Sequence, residues 1–504
     1  MRIAVLALSC CCKKIVSFGT IHASISANAS PTGRIVHDRA HRLCCCRRQA
    51  GGPREKLPIA GGATHKVSIF PLFRSGQVPM SPIAHEMRPE FADAAWQERH
   101  AVTRIDQLRE WMGVDADGSL MRDIELGLAR APMAMRITPY VLNLINWSNF
   151  LQDPIRKQFI PVGSEILPSH PLLRMDSLHE RESSPVDGLV HRYQDKALLL
   201  ATDRCPVYCR FCTRSYSVGL DTGSVSKKRA SPFQMRWDSI LSYLRATPVI
   251  VDVVVSGGDC FRLKPSRLLA IGMGLLSIPS IRRIRFATKG LAVLPMKVTS
   301  DHEWTDALVK ISDVGRDHGV EISFHTHFNH PGEISEYTIA AAELLFKRGI
   351  RMRNQSVLLA GVNDDPEVMK QLVKKLSDLH IQPYYVYTCD LVDGIEHMRC
   401  SVRLACQIEK ALRGITAGYN TPLFVVDTPG GGGKRDVHSF EHYDRQTGIA
   451  VYRAPSVRPN QLFTYPDPLQ SLSPDAQAAW LAPQRAKRIL SNAVEVARVK
   501  SMAV

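Results

Sequence analysis

The sequence predicts an α/β protein in which parallel strands curl into a partial (β/α)6 barrel behind an N-terminal helical subdomain. Apolar runs of strand length alternate with amphipathic helical segments between residues 197 and 387, a pattern typical of a parallel sheet. Three cysteines directly follow the first run, and four successive glycines follow a later apolar run at residues 422–426. Both motifs fall at strand ends, where barrels of this kind carry their chemistry.

The first 79 residues differ from the rest of the chain. They contain twelve Lys or Arg against two Asp or Glu, which gives +10 of the formal net charge of +16, and they lack sustained periodicity. We expect this extension to be disordered. A signal peptide, a mitochondrial transit peptide and a start assigned too far upstream are three open interpretations. In the third, which we favour, the functional chain begins at Met80 or Met87.

Three further regions follow this extension. Residues 80–190 are predicted to form the helical subdomain and a lead-in, because apolar residues recur at helical spacing near its start and its end is rich in Pro, Ser and charged residues. The barrel is predicted over residues 191–420, and a C-terminal segment over residues 421–504 carries the glycines. The predicted barrel strands are residues 197–202, 249–256, 281–287, 320–325, 350–357 and 383–387.

Composition narrows the class of protein. With 504 residues and 45% hydrophobic content, the chain can bury a large core, and no apolar run approaches the ~18–20 residues that span a bilayer. Only +6 of net charge remains for the 425 residues after the extension, which argues against a nucleic-acid partner. Six of the thirteen cysteines form adjacent triplets. Adjacent cysteines are poor disulfide partners, so we expect a reducing, cytoplasmic location, with organellar targeting by residues 1–79 left open.

Cys205, Cys209 and Cys212 stand at C-x3-C-x2-C spacing within eight residues. Three thiolates on one loop can hold three irons of a cubic 4Fe–4S cluster and leave the fourth iron open to a ligand. A structural zinc ion would normally need a fourth ligand, usually from a second C-x2-C pair, and three is an odd number for disulfides. We therefore predict a cluster, with zinc or incidental cysteines as the alternatives.

Two glycine motifs also fall at strand ends. Gly257-Gly258-Asp259 could expose backbone groups and a carboxylate to a ligand, or it could be a tight turn. The four glycines at residues 430–433 lie between Asp427 and Lys434. They do not form a phosphate-binding P-loop, because that motif needs glycine at position 428 and Ser or Thr at position 435. A mobile glycine loop that ends in one lysine suits a lysine that forms Schiff bases.

The cysteine loop and several other motifs together resemble the lysine 2,3-aminomutases, a family of radical S-adenosylmethionine (SAM) enzymes that also bind pyridoxal phosphate (PLP). The other motifs are residues 191–193, 326–331, 354–358, 384–391, 394–397 and 429–434, and the resemblance covers roughly residues 90–455. It implies a radical SAM barrel followed by a C-terminal PLP-lysine segment. It also implies an isomerase that interconverts L-lysine and β-lysine by moving the α-amino group to the β carbon.

The resemblance implies three cofactors and one protein partner. A reduced 4Fe–4S cluster would cleave SAM to a 5′-deoxyadenosyl radical, which takes hydrogen from the β carbon of lysine bound to PLP. An external electron donor, such as flavodoxin or ferredoxin, would reduce the cluster, and a homo-oligomer is expected. No membrane and no nucleic acid are expected as partners.

The family's functional residues carry over to matching positions of this chain. Cys205, Cys209 and Cys212 would bind the cluster, and Lys434 would bind PLP covalently. The remaining implied contacts are with the PLP phosphate for Arg192 and Lys196, with the substrate for Arg214, Asp390 and Asp427, and with SAM for Gly257, Gly258, Asp259, His327 and Gln355. Lys196 stands where the family more often has arginine. No cysteine follows Cys406, and Asp365 occupies the position of one zinc ligand found in some members, so no structural zinc is expected.

The substrate assignment leaves alternatives. Glutamate is disfavoured, because Asp390 and Asp427 would repel a side-chain carboxylate, whereas arginine is a longer cation that could meet both. From a different class, a basic nucleic-acid-binding Fe–S protein or a radical SAM RNA-modifying enzyme would suit the basic extension. The glycine loop that ends in Lys434 opposes that second interpretation.

Overall fold

The computed structural model describes residues 89–113 and 116–502. The predictions made for residues 1–79, and the possible starts at Met80 and Met87, lie outside these residues. No helix in the described part of the chain is long and apolar enough to cross a membrane.

A nine-stranded sheet forms the centre of the structure, with its strands in sequence order. Strands β2 to β8 are parallel, while β1 and β9 are antiparallel to their neighbours at the two edges. The strands are β1 (Leu189–Tyr193), β2 (Lys196–Thr202), β3 (Asp252–Gly257), β4 (Arg283–Ala287), β5 (Glu321–Thr326), β6 (Arg351–Leu358), β7 (Ile381–Thr388), β8 (Leu423–Thr428) and β9 (Gly433–Asp436). This arrangement confirms the predicted α/β class and the six predicted barrel strands, which are β2 to β7. The glycine-run strand, β8, adds a seventh parallel strand to the same sheet.

Helices connect the parallel strands and cover the outer face of the sheet. They are α6 (Phe233–Ala246), α7 (Pro265–Leu276), α8 (Gly290–Val293), α9 (Met296–Ser300), α10 (His302–Asp317), α11 (Glu336–Lys347), α12 (Pro366–Asp378) and α13 (Val402–Leu412). Side-chain caps set where several of them begin. Asp365, for example, accepts the backbone N–H groups of Glu367 and Val368 at the start of α12, which satisfies donors that have no partner inside the helix.

Two smaller groups of elements flank the barrel. Before it lie the helices α1 (Ala94–Arg99), α2 (Ile105–Met112), α3 (Gly118–Arg130), α4 (Pro139–Leu144) and α5 (Pro154–Phe159), in agreement with the predicted helical region. After it lie the antiparallel strands β10 (His442–Asp444), β11 (Ile449–Ala454) and β12 (Arg458–Pro466), followed by α14 (Pro474–Leu481) and α15 (Pro483–Met502). Trp480 of α14 is fully buried beside Ile449 and Val451 of β11, so apolar burial holds these last helices to the small sheet.

The two edges of the nine-stranded sheet approach each other. Arg192 of β1 contacts Asp427 of β8, and the backbone N–H of Lys434 in β9 donates to the Tyr193 hydroxyl of β1 at 2.9 Å. Side chains alternate between the two faces of a strand. In β2, accordingly, Leu199 and Ala201 are buried away from an internal cavity, while Lys196 and Leu198 line it. Contacts between its edges therefore curl the sheet around this cavity.

Candidate active site

A cavity of about 510 Å³ lies within the curled sheet. Its lining extends from Lys196 at the start of β2 to Gly257 and Thr388 at the carboxyl ends of β3 and β7, the ends at which barrels of this type place their sites. All fourteen residues predicted for the site line this one cavity: Arg192, Lys196, Cys205, Cys209, Cys212, Arg214, Gly257, Gly258, Asp259, His327, Gln355, Asp390, Asp427 and Lys434.

The cysteine loop is held in place by its backbone and by one buried arginine. The N–H of Tyr208 donates to the carbonyl oxygen of Arg136 at 3.0 Å, and the N–H of Arg210 donates to that of Gln158 at 3.0 Å. The Arg210 guanidinium lies 2.7 Å from Nε2 of His397. Burial lowers the pKa of His397 to about 3, so its neutral ring can accept this hydrogen bond. The loop is thus fixed both by the segments before the barrel that contain Arg136 and Gln158 and by His397, which follows β7.

The three thiols suit a cluster that binds one cysteine per iron. Within the described residues, no three His, Cys, Asp or Glu side chains converge on one point, as a single metal ion requires. A 4Fe–4S cluster does not need that convergence, because each thiolate binds a different iron. Burial raises the pKa of all three thiols, that of Cys209 to about 12. Bound iron would offset this, since metal coordination deprotonates a thiol outright.

The Gly257-Gly258-Asp259 segment is a tight turn at the end of β3. Gly257 has φ of +104°, and a Cβ on Gly258 would stand 2.4 Å from the Arg204 carbonyl oxygen, so neither position accepts a larger residue. The Asp259 carboxylate accepts hydrogen bonds from the N–H groups of Phe261 and Lys289 and from the Thr288 hydroxyl. Protein donors therefore already hold this carboxylate, and the backbone of the turn faces the cavity.

His327 and Gln355 also line the cavity. Nε2 of His327 lies 3.1 Å from Oδ1 of Asn329, and burial and the nearby Lys289 charge lower the pKa of His327. The ring is therefore neutral. Gln355 Oε1 accepts a hydrogen bond from the Tyr387 hydroxyl at 3.4 Å, which leaves its amide nitrogen for another partner.

The glycine run makes the hairpin between β8 and β9. Gly430, Gly431 and Gly433 have positive φ values, which favour glycine. Gly432 has no space for a side chain, because a Cβ there would lie 2.2 Å from the Thr428 hydroxyl oxygen and 2.6 Å from the Phe463 ring. The hairpin pairs Asp427 with Lys434 across the two strands, so the glycines bring this carboxylate and this amine together.

Lys434 lies between aromatic rings and a carboxylate. Its Nζ is 3.5 Å from Asp427 Oδ2, and it lies 5.5 Å from the ring centre of Tyr193 and 5.7 Å from that of Tyr387. Burial disfavours its charge, but Tyr387 and Asp427 outweigh this effect and raise the pKa of Lys434. The amine is therefore an ammonium in this state, held by charge and by two aromatic faces.

Two carboxylates with different environments lie in the cavity wall. Arg192 Nη2 donates to Asp427 Oδ2 at 2.9 Å, and Arg192 and Lys434 lower the pKa of Asp427 despite its burial. Among the described residues, the Asp390 carboxylate accepts a hydrogen bond from the Thr213 hydroxyl alone. Burial and the charge of Asp427 raise the pKa of Asp390 to about 7. Asp427 therefore favours the ionised form, while Asp390 gains or loses a proton near neutral pH.

Two buried atoms of the Arg192–Asp427 ion pair have no hydrogen-bond partner in the described residues. They are Oδ1 of Asp427 and Nη1 of Arg192. A buried polar atom without a partner is costly, so both fit bound groups that the protein itself does not supply. A cation suits the first atom and an anion such as phosphate suits the second. Lys196, the other predicted phosphate ligand, contacts Asp195 and lies 4.8 Å from the Tyr193 ring centre.

The sequence did not single out three residues that shape the cavity. Glu180 binds Arg214 through both carboxylate oxygens, Tyr387 lies over Lys434, and Lys289 pairs with the buried Glu333. Tyr387 lies inside a motif that already carried the family resemblance. Glu180 lies in a polar loop, and nothing in the local pattern distinguishes it from its charged neighbours.

Comparisons with known proteins find close relatives in one family. The chain is 40% identical over 350 residues to an L-lysine 2,3-aminomutase from Clostridium subterminale, which covers 69% of this chain and 78% of that protein. It is 40% identical over 358 residues to the L-lysine 2,3-aminomutase of Acetoanaerobium sticklandii, which covers 70% and 80%. A glutamate 2,3-aminomutase from Clostridioides difficile is 34% identical over 298 residues, or 59% and 66% of the two chains.

Two further comparisons complete these findings. No protein-family model matches the chain. Among solved structures, a radical SAM methyltransferase from Sphaerobacter thermophilus is similar at a TM-score of 0.31 and 16% identity, covering 47% of this chain and 68% of that one.

Proposed function

The chain belongs to the L-lysine 2,3-aminomutase family, and on that premise we propose that it interconverts L-lysine and β-lysine with a 4Fe–4S cluster, SAM and PLP. The observation that carries this proposal is the single cavity lined by all fourteen predicted site residues. These fourteen residues come from seven separate segments of the chain and include three thiols, an amine on a glycine hairpin, two guanidiniums and three carboxylates. Such a combination serves the binding of three cofactors beside an amino acid.

The cofactors would take the difficult chemistry. When bound, the cluster and SAM supply the organic radical that removes hydrogen from the β carbon, and PLP carries the amino group during its migration. Cys205, Cys209 and Cys212 would hold the cluster, and the turn at Gly257 and Gly258 would contact SAM. An external one-electron donor such as flavodoxin or ferredoxin would reduce the cluster.

The protein's own groups would hold PLP at the hairpin. Lys434 would bind it covalently, which requires loss of the proton that Asp427 and Tyr387 stabilise on the amine. The unpartnered Nη1 of Arg192 would donate to the phosphate, with Lys196 contributing charge from the neighbouring strand. Because the hairpin fixes Lys434 through a backbone hydrogen bond to Tyr193, only the side chain has to move when the substrate replaces it.

The charges of the cavity suit a substrate with a carboxylate at one end and an ammonium at the other. Arg214 would bind the carboxylate, and Asp390 and Asp427 would bind the side-chain ammonium. The unpartnered Oδ1 of Asp427 supports this role. Although one relative is a glutamate 2,3-aminomutase, a side-chain carboxylate would be repelled by these two groups.

The substrate is tested by anaerobic reconstitution with iron, sulfide, PLP and SAM, followed by assays with L-lysine, L-arginine and L-glutamate. We expect β-lysine from lysine at a far higher kcat/KM than product from the other two. Faster turnover of arginine would contradict the substrate while leaving the reaction type intact. Absence of amino migration with all three would contradict the proposal.

The cofactor assignments are tested by two matched pairs of variants. Borohydride reduction of the PLP-loaded protein should label the peptide that contains Lys434, and Lys434→Ala should abolish the label, whereas Lys374→Ala, an exposed position, should keep it. Cys209→Ser should lose the brown chromophore and SAM cleavage, while Cys406→Ser should retain both. A label on another lysine, or SAM cleavage by Cys209→Ser, would refute the respective assignment.

A further inference from the structure

Glu180 is a buried carboxylate at the wall of the cavity. Only 4% of its surface is exposed. The polar loop that carries it is fixed from several sides. Asp176 accepts the N–H groups of Glu180 and Arg181, and the Ser184 hydroxyl donates to the Glu180 carbonyl oxygen at 2.8 Å. The position of this carboxylate is therefore set by its own loop.

The Glu180 carboxylate binds one edge of the Arg214 guanidinium. Oε2 accepts from Arg214 Nε at 2.9 Å and from the Tyr216 hydroxyl at 3.0 Å, and Oε1 accepts from Arg214 Nη2 at 2.7 Å. A guanidinium has five N–H donors in a planar fork. Nη1 of Arg214 makes no hydrogen bond within the described residues. One N–H of Nη2 and both of Nη1 are thus left for another anion.

Arg214 belongs to the wall of the cavity and is not fully buried. The residue lines the cavity, and its side chain keeps 20% of its surface exposed. The preceding residue, Thr213, donates to Asp390, one of the two carboxylates proposed to hold the substrate ammonium. One loop thus carries Arg214, the proposed ligand of the substrate carboxylate, next to a residue that contacts a proposed ligand of the ammonium.

We propose that Glu180 is a positioning residue: it clamps the Nε–Nη2 edge of Arg214 so that the substrate carboxylate can pair only with the Nη1–Nη2 edge. This inference rests on the proposed function and extends it to the geometry of substrate recognition. The bidentate pair prevents rotation of the guanidinium, and the remaining edge is also bidentate, which fixes the plane of the bound carboxylate. The α and β carbons are thereby held at one place relative to the cofactors.

Charge and geometry make opposite predictions for Glu180. Removal of a negative charge beside Arg214 would, by electrostatics alone, strengthen binding of a carboxylate. Loss of the clamp would instead free the guanidinium to rotate, so the carboxylate would contribute less to binding. The two effects separate when affinities for L-lysine and for L-lysinamide, which lacks the carboxylate, are compared in the same variant.

The test uses the PLP-loaded protein without SAM, so that nothing turns over, and follows the PLP absorption as ligand is added. The variants are Glu180→Gln, which removes the charge, and Glu180→Asp, which keeps the charge but withdraws it by one methylene. Glu182→Gln is the matched control, because Glu182 lies on the same loop with 73% of its side chain exposed. Melting temperatures check that each variant folds.

We expect the preference for lysine over lysinamide to shrink by about tenfold in both Glu180 variants, the equivalent of one charge-assisted hydrogen bond. With SAM present, kcat should fall by about 100-fold, as a misplacement of about 1 Å can cause, while Glu182→Gln behaves like the unchanged protein. A preference for lysine over lysinamide that is unchanged or larger in Glu180→Asp overturns the proposal. This variant decides the matter if Glu180→Gln does not fold.

Turnover of lysine by the unchanged protein tests the proposed function separately. If arginine is the substrate instead, arginine and its amide replace the lysine pair.

Discussion

Asp390 should make the ligand-free protein less stable above neutral pH, and its removal should reverse this effect. Burial and the charge of Asp427 raise the pKa of Asp390 from its ordinary 3.8 to about 7. Between these two values the folded protein keeps a proton that the unfolded chain has lost. Stability therefore falls as pH rises through this window. We predict that Asp390→Asn stabilises the protein, and that the gain is larger at pH 8 than at pH 5.

The size of the effect follows from the pKa difference. Three pKa units, at about 1.4 kcal/mol each, give on the order of 4 kcal/mol across the whole window. Only the part between pH 5 and about 7 distinguishes the two conditions, and solvent in the cavity lowers the cost of the charge. We therefore expect the gain at pH 8 to exceed that at pH 5 by about 1–2 kcal/mol. The Asn side chain can still accept the Thr213 hydroxyl, so no hydrogen bond is lost.

Urea unfolding at pH 5 and pH 8, with no ligand present, measures this difference. Asp378→Asn serves as the control, because Asp378 is exposed at the end of α12 and should show no such dependence. Asp390→Asn should also weaken lysine binding. In the unchanged protein, lysine affinity should rise with pH up to about 7, and Asp390→Asn should abolish this rise. An equal or smaller gain at pH 8 than at pH 5 would refute the reasoning.

Further predictions concern Asp427, Gly432 and Arg192. Asp427→Asn should raise the KM for lysine by about 10–100-fold, since a charge-assisted hydrogen bond contributes roughly 1.5–3 kcal/mol, with kcat less affected. The same change should cost about 3–5 kcal/mol in unfolding free energy, because it leaves Arg192 as a buried charge without a counter-ion, and Arg192→Met should restore part of the loss. An unaltered KM would contradict the substrate role of Asp427. Gly432→Ala should weaken PLP binding, measured by absorption titration, because its Cβ would meet Thr428 and Phe463. Gly418→Ala, where nothing lies within 4 Å, should bind PLP normally.

Local patterns in the sequence determined much of the architecture. The alternation of apolar runs and helical segments predicted β2 to β7, because burial on both faces of a parallel strand imposes near-continuous apolar residues. The spacing of Cys205, Cys209 and Cys212 and the glycines before Lys434 predicted chemistry at strand ends. These signals are short-range, since each depends on residues within one loop or one strand.

The tertiary structure alone decided which of these groups act on one another. Glu180 and Arg214 are separated by 34 positions, and Arg192 and Asp427 by 235, so no local periodicity could pair them. Asp390 and Asp427 cannot be told apart in this way either, because in the sequence they are two similar aspartates at strand ends. The glycine hairpin places Asp427 beside Lys434, but only the curled sheet brings Arg192 to it, while the Asp390 carboxylate has a single hydroxyl donor within the described residues. The pKa values of the two carboxylates are therefore driven apart by packing, because the energy of a buried charge depends on the neighbours that folding brings to it.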